Sequence, residues 1–202
     1  MSPSIFVTID TLAADGVETP ERHLECLEQM QILAATQAGM LALLRQYGGS
    51  ESAVVMRPLT FLASRAADAF PTPAMRDAIL KCAAALEGHD VSSRINLLTA
   101  LQRLAIHERL FLDGAPPPEL GPFLVAGLEG PPAVHETAID VLTRLYDDGL
   151  LDRFPSPQLA EIADHLRALM SSETLTADLA AVAAVNEILA GLASSSLSSA
   201  EG

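Results

Sequence analysis

The chain has 202 residues, half of them hydrophobic and 19% charged, with a formal net charge of −14 at pH 7. That is enough length for one buried core, and the negative balance repels phosphate backbones and anionic headgroups, so nucleic-acid and membrane-surface binding are excluded as expectations. Two cysteines far apart, Cys26 and Cys82, do not make a disulfide framework, and reduced thiols in a cytoplasmic protein are expected.

Met1–Asp10 has neither a basic start nor a long apolar core, so it does not read as a secretory signal. Residues 1–18 read as an N-terminal arm, extended or partly disordered, because Ile5-Phe6-Val7-Thr8-Ile9 alternates as a strand does. From Thr19 onward the pattern is helical. Thr19-Pro20, Thr72-Pro73 and Ser156-Pro157 each combine a capping residue with a proline suited to the first helical turn. Apolar residues recur at steps of three and four in between, as in Leu97, Leu98, Leu101, Leu104 and again in Val134, Ala138, Val141, Leu142, Leu145. The spacing predicts helices at about 20–47 (interrupted near Gly39), 52–70, 73–87, 92–110, 118–129, 132–148, 157–171 and 175–193. Residues 19–193 therefore form a single all-helical domain, and the small, polar stretch 194–202 is a disordered tail. Interruptions such as Gln37 and Glu187 in the most apolar stretches exclude a membrane span.

A faint period lies over the helices. Leu97-Leu98-Thr99-Ala100-Leu101-Gln102-Arg103-Leu104 stands 41 residues before Ala138-Ile139-Asp140-Val141-Leu142-Thr143-Arg144-Leu145, and the pair Leu59 and Leu62 stands 42 before Leu101 and Leu104. A two-helix unit of about forty residues cannot bury its stripe alone, so neighbours must stack. Over about residues 52–193 the chain resembles HEAT or armadillo-like repeats: Pro58 sits where HEAT first helices carry a proline, and Met75-Arg76 is similar to the opening of their second helices. The later units, with Glu119-Leu120 and Gln158-Leu159, lack that arginine. The expected fold is a short all-α solenoid of antiparallel helix pairs, with an irregular compact helical bundle as the alternative.

No constellation of catalytic residues stands out. His107-Glu108 and His135-Glu136 are followed four residues after each histidine by Phe111 and Ile139, so the paired histidines of a zinc hydrolase are missing. His23 and Cys26 share a helix face but lack further ligands at zinc spacing. Asp147, Asp148 and Asp152 lack a calcium loop's distant glutamate. No catalytic, cofactor or metal site is expected. The reading is a protein–protein interaction module, an adaptor or subunit of a larger complex, and not an enzyme. A small-ligand regulator or enzyme with an unrecognised pocket is the alternative. In HEAT-like arrays the second helices line the inner curve, so the resemblance implies a protein-binding surface at Arg76, Lys81, Glu119, Glu161, His165 and Arg167. On the last helix Leu175, Leu179, Val182, Val185, Leu189 and Leu192 make an apolar stripe, and the small residues Ala181 and Ala184 make a second candidate face, toward a partner or another copy of the chain. The overall acidity suggests a partner with a basic surface.

Overall fold

The structure is a computed structural model, and it describes residues 4–85, 90–172, 175 and 179–198, with side chains as far as 193. Among the described residues there are ten α-helices and no strand. The contacts fall into two compact units, Met1–Arg109 and Leu110–Gly202, where the sequence predicts one continuous domain. Between them His107–Glu119 holds only a 3-10 turn at Arg109–Phe111. Left-handed backbone at Glu108 (φ 56°) and Gly114 (φ 77°), then Pro116-Pro117-Pro118, stops helix propagation there.

The first unit holds α1 (Ile5–Ala14), α2 (Pro20–Ala34), α3 (Gln37–Tyr47), α4 (Ala53–Ala69), α5 (Pro73–Ala84) and α6 (Val91–Ile106). The arm expected to be extended is helical instead. Ser4 caps α1 by accepting from the Val7 N–H, and Ile9 and Leu12 are buried. Over five residues an alternating pattern fits either period, and Ile5, Ile9 and Leu12 restore helical spacing once Leu12 is counted. Phe6 stacks on Tyr47 at 6.2 Å between ring centroids, and the Tyr47 hydroxyl donates to Asp10 Oδ1 at 2.9 Å. Burial first, and then that bond to a carboxylate, raise the Tyr47 phenol above its ordinary pKa.

Thr19 and Thr72 cap α2 and α5 as their Thr-Pro pairs predict. The long segment 20–47 breaks at Ala35-Thr36 rather than at Gly39, because Thr36 accepts from the Gly39 N–H at 3.1 Å and starts a new helix. Side-chain pairings fix the direction of packing. Arg57 meets Asp90 at 3.2 Å, Asn96 donates to Thr60 at 3.2 Å, Arg103 donates to the Ser64 carbonyl at 2.7 Å, and His107 meets Asp68 at 3.1 Å. Numbers rise together on both helices, so α4 and α6 run parallel. Helix α2 also packs against α4 and runs parallel to it, since their lining residues rise together, from His23 with Arg57 to Ala34 with Asp68. Helices α3 and α5 make the returns and pack on each other, with Gln37 donating to Thr72 at 2.8 Å. The core of this unit includes Met30, Met40, Met56, Leu59, Met75, Ile79, Leu97, Leu101 and Leu104, all sealed from solvent.

The second unit holds α7 (Leu120–Leu128), α8 (Pro132–Asp147), α9 (Ser156–Met170) and α10 (Leu179–Ser198), with a 3-10 turn at Leu151–Arg153. Leu142 and Leu145 are fully buried, as their place on the stripe requires. At α9 the capping expectation fails. Ser156 is already helical, Pro155 precedes it in extended backbone, and no side chain caps the turn. Residues 194–198, expected to be tail, continue α10, whose small residues are compatible with helix. The expected disorder of 199–202 lies outside the described residues.

Candidate functional site

Three helical stripes of the first unit border one open groove. On α4, Arg57, Phe61, Arg65 and Asp68 follow one another at steps of four, four and three, and so stand in a row along the helix. On α2 and its C-terminal cap the groove is lined by His23, Leu24, Leu27, Gln31, Ala34 and Ala35, and on α6 by Ser92, Asn96 and Arg103. It widens into depressions of about 400 and about 970 Å³ that meet at Leu27 and Phe61. Large apolar side chains stand open to solvent here, Leu24 at 56% and Phe61 at 40%.

The electrostatics of the groove oppose those of the chain. Arg57, Arg65, Arg103 and His23 line it, against the single carboxylate Asp68. Residues 51–100 as a whole are balanced, five cations to five carboxylates. Arg57 is held by Asp90 and, more loosely, by Glu18 at 3.8 Å. Burial of Asp90 would raise its pKa, but bonds from the Ser93 hydroxyl and Ser92 N–H and the nearby Arg57 outweigh it, so this carboxyl sits below its ordinary value. The Arg65 guanidinium lies 5.9 Å from the Phe61 ring centroid. Neither Arg65 nor Arg103 pairs with a carboxylate among the described residues.

The residues expected from the sequence lie elsewhere. On α5, Arg76 is half-buried and bound to its neighbour Asp77 at 2.8 Å, and Lys81 is exposed. Glu119 is exposed at the start of α7. Arg167 on α9 is exposed and paired with Asp164 at 2.6 Å. Glu161 and His165 are brought together: the Glu161 carbonyl accepts from Nδ1 at 2.9 Å, and Nε2 meets the Glu129 carboxylate at 2.9 Å. Ala181 and Ala184 are half-buried one turn before Val185 and Ile188, which are fully buried where α10 packs on α8 and α9. They stand beside that packed seam, each keeping part of its surface open. Leu179, expected on the apolar stripe, is 81% exposed, since it lies about 120° round the helix from Val185. Gly191 belongs to the same seam, and a Cβ there would fall 2.3 Å from Tyr146 Cε2.

The His165 geometry carries a pH prediction. Both ring nitrogens face acceptors, and only the imidazolium donates to both. The Glu161 carbonyl first, and then Glu129, raise its pKa above the ordinary value. A group raised in the folded state contributes stability that is complete below its unfolded pKa and fades as pH climbs through the folded one. An NMR titration should therefore place His165 above a free histidine. Glu129→Gln should lower it only partly, since the backbone bond remains. A midpoint at or below the free value would disprove the arrangement.

The groove was not anticipated from the sequence. Its trace there is Phe61, an aromatic residue off the Leu59–Leu62–Ala66 stripe and spaced four from an arginine on each side.

Among the described residues no group of three or more His, Cys, Asp or Glu is placed to hold a metal, and no helix is long and apolar enough to cross a membrane. Cys26 and Cys82 are buried, and burial pushes each thiol up to about 12, away from nucleophilic reactivity at neutral pH. No family model, curated protein or solved structure matches the chain.

Proposed function

We propose that this protein is a protein–protein interaction module, a non-catalytic adaptor or complex subunit of the cytoplasm, and that it engages its partner through the groove over α2, α4 and α6. The observation that carries the reading is Phe61, a large aromatic side chain left open on the central helix between two arginines and facing Leu24 and Leu27 across the groove. Exposed apolar surface rimmed by polar groups is characteristic of binding sites, and aromatic and arginine side chains dominate binding energies. Parallel α2, α4 and α6 with returning α3 and α5 favour a helical-repeat reading of the first unit, a short solenoid in which Pro58 lies within a first helix as it does in HEAT-like repeats. Stacked helix pairs of that kind present extended surfaces for other proteins.

Leu24→Glu combined with Phe61→Glu should leave the helix content unchanged, because both side chains already face water. Affinity capture at native salt, followed by mass spectrometry, should recover a partner with the wild-type chain and lose it with the double variant. Identical recovery by both would remove the groove from the binding surface.

A further inference from the structure

We infer that the segment held by this groove is an acidic amphipathic helix. The inference rests on reading the groove as a docking site and adds the chemistry of what occupies it. Charge supplies the sign. In a chain of net charge −14, the lining gathers Arg65 and Arg103, beside an Arg57 already held by Asp90, against Asp68, itself engaged by His107. Arg65 and Arg103 have no carboxylate partner among the described residues, so glutamates or aspartates from outside complete them. The total charge of the protein suggests a basic partner, but the local field that a docked segment meets is set by the side chains lining the groove.

The walls supply the conformation. Every wall is a helix, whose backbone groups bond within the helix itself, and the described residues contain no strand edge. An extended peptide laid here would bury its own N–H and C=O groups without partners, whereas a helix brings its backbone bonds with it. From Arg57 to Ala69 the floor measures about 18 Å at 1.5 Å per residue, the length of three to four helical turns. Arg65 stands about 6 Å, roughly one turn, from Phe61 along that axis. The occupant thus carries acidic residues facing Arg65 and Arg103, about one turn from a leucine or aromatic that meets Phe61, Leu24 and Leu27.

The test uses the full chain and a small panel of dye-labelled, 16-residue helical peptides read by fluorescence anisotropy. One set has a Leu/Phe stripe with glutamates about one turn from it. The matched set replaces each glutamate with lysine. Glutamate peptides should bind at least about tenfold more tightly than lysine peptides, and added salt should narrow the gap. Arg65→Glu, at an exposed side chain without an ion pair, should keep the circular dichroism of the wild type while shrinking or reversing the preference. Phe61→Glu should abolish binding of both sets. Equal binding of the two sets, binding of neither, or a preference indifferent to Arg65→Glu overturns the acidic helix. If Phe61→Glu and Leu24→Glu still remove a captured partner when neither peptide set binds, docking stands and only the occupant is wrong. If sedimentation shows self-association that Phe61→Glu removes, the occupant is a second copy of the chain, and the acidic-helix assignment falls.

Discussion

Leu101→Ala should lower the stability of the first unit by about 2–5 kcal/mol, the range for a buried leucine that leaves a cavity. Leu101 is fully buried on α6, as is Leu104 one turn on, in the helix that packs along α4. The loss combines the transfer energy of the deleted atoms with contacts that the close-packed surroundings cannot remake. Ile106, on the same helix but 50% exposed, serves as the reference, and Ile106→Ala should cost less than about 1 kcal/mol. Urea unfolding followed by circular dichroism measures both. Equal, small shifts in the two midpoints would mean that α6 does not bury the face assigned to it.

Gly39→Ala should also destabilise, although alanine is the better helix former by about 1 kcal/mol. A Cβ built on Gly39 would lie 2.0 Å from the Leu33 carbonyl oxygen and 2.7 Å from its carbon. These are backbone atoms at the end of α2, so no rotamer change relieves the clash. The helices would have to separate where Thr36 caps α3 through the Gly39 N–H, and such overpacking costs about 1–3 kcal/mol, occasionally more. Because the clash reaches backbone at far below contact distance, the upper end applies, for a net loss of about 2 kcal/mol or more. Gly49 has nothing within 4 Å of the corresponding position, and Gly49→Ala should be nearly neutral. A Gly39→Ala variant as stable as wild type would show that the α2–α3 corner opens freely.

These positions also show what a sequence makes legible. Leu97, Leu101 and Leu104, like Val134, Ala138, Val141 and Leu145, were readable because each helix buries one side and leaves the other in water, which writes a 3.6-residue period into the chain. Thr19-Pro20 and Thr72-Pro73 were readable because capping is local chemistry. Ser156-Pro157 follows the same pattern, with serine for threonine, but Pro155 takes the position just before the helix and moves the boundary by one residue. Residues 5–9 mislead because a run of only five residues, four of them β-branched, satisfies both periods. On α10 the surplus of alanine hides which side faces inward: Ile188, outside the stripe that the sequence suggests, is fully buried, and Leu179, within it, is exposed. The groove lay beyond reach for another reason. It exists only because α2, α4 and α6 lie side by side, and that adjacency brings Leu24, Phe61 and Arg103, distant in sequence, to one surface.

The two buried thiols turn the division of the chain into a measurement. Cys26 and Cys82 are the only cysteines in the sequence, both are shielded from solvent, and both fall in the unit that ends at Arg109. An alkylating reagent reaches them only through molecules in which that unit has transiently opened, because the closed form offers neither access nor thiolate. Alkylation rates under native conditions therefore count openings of the first unit alone, while the cysteine-free second unit stays silent.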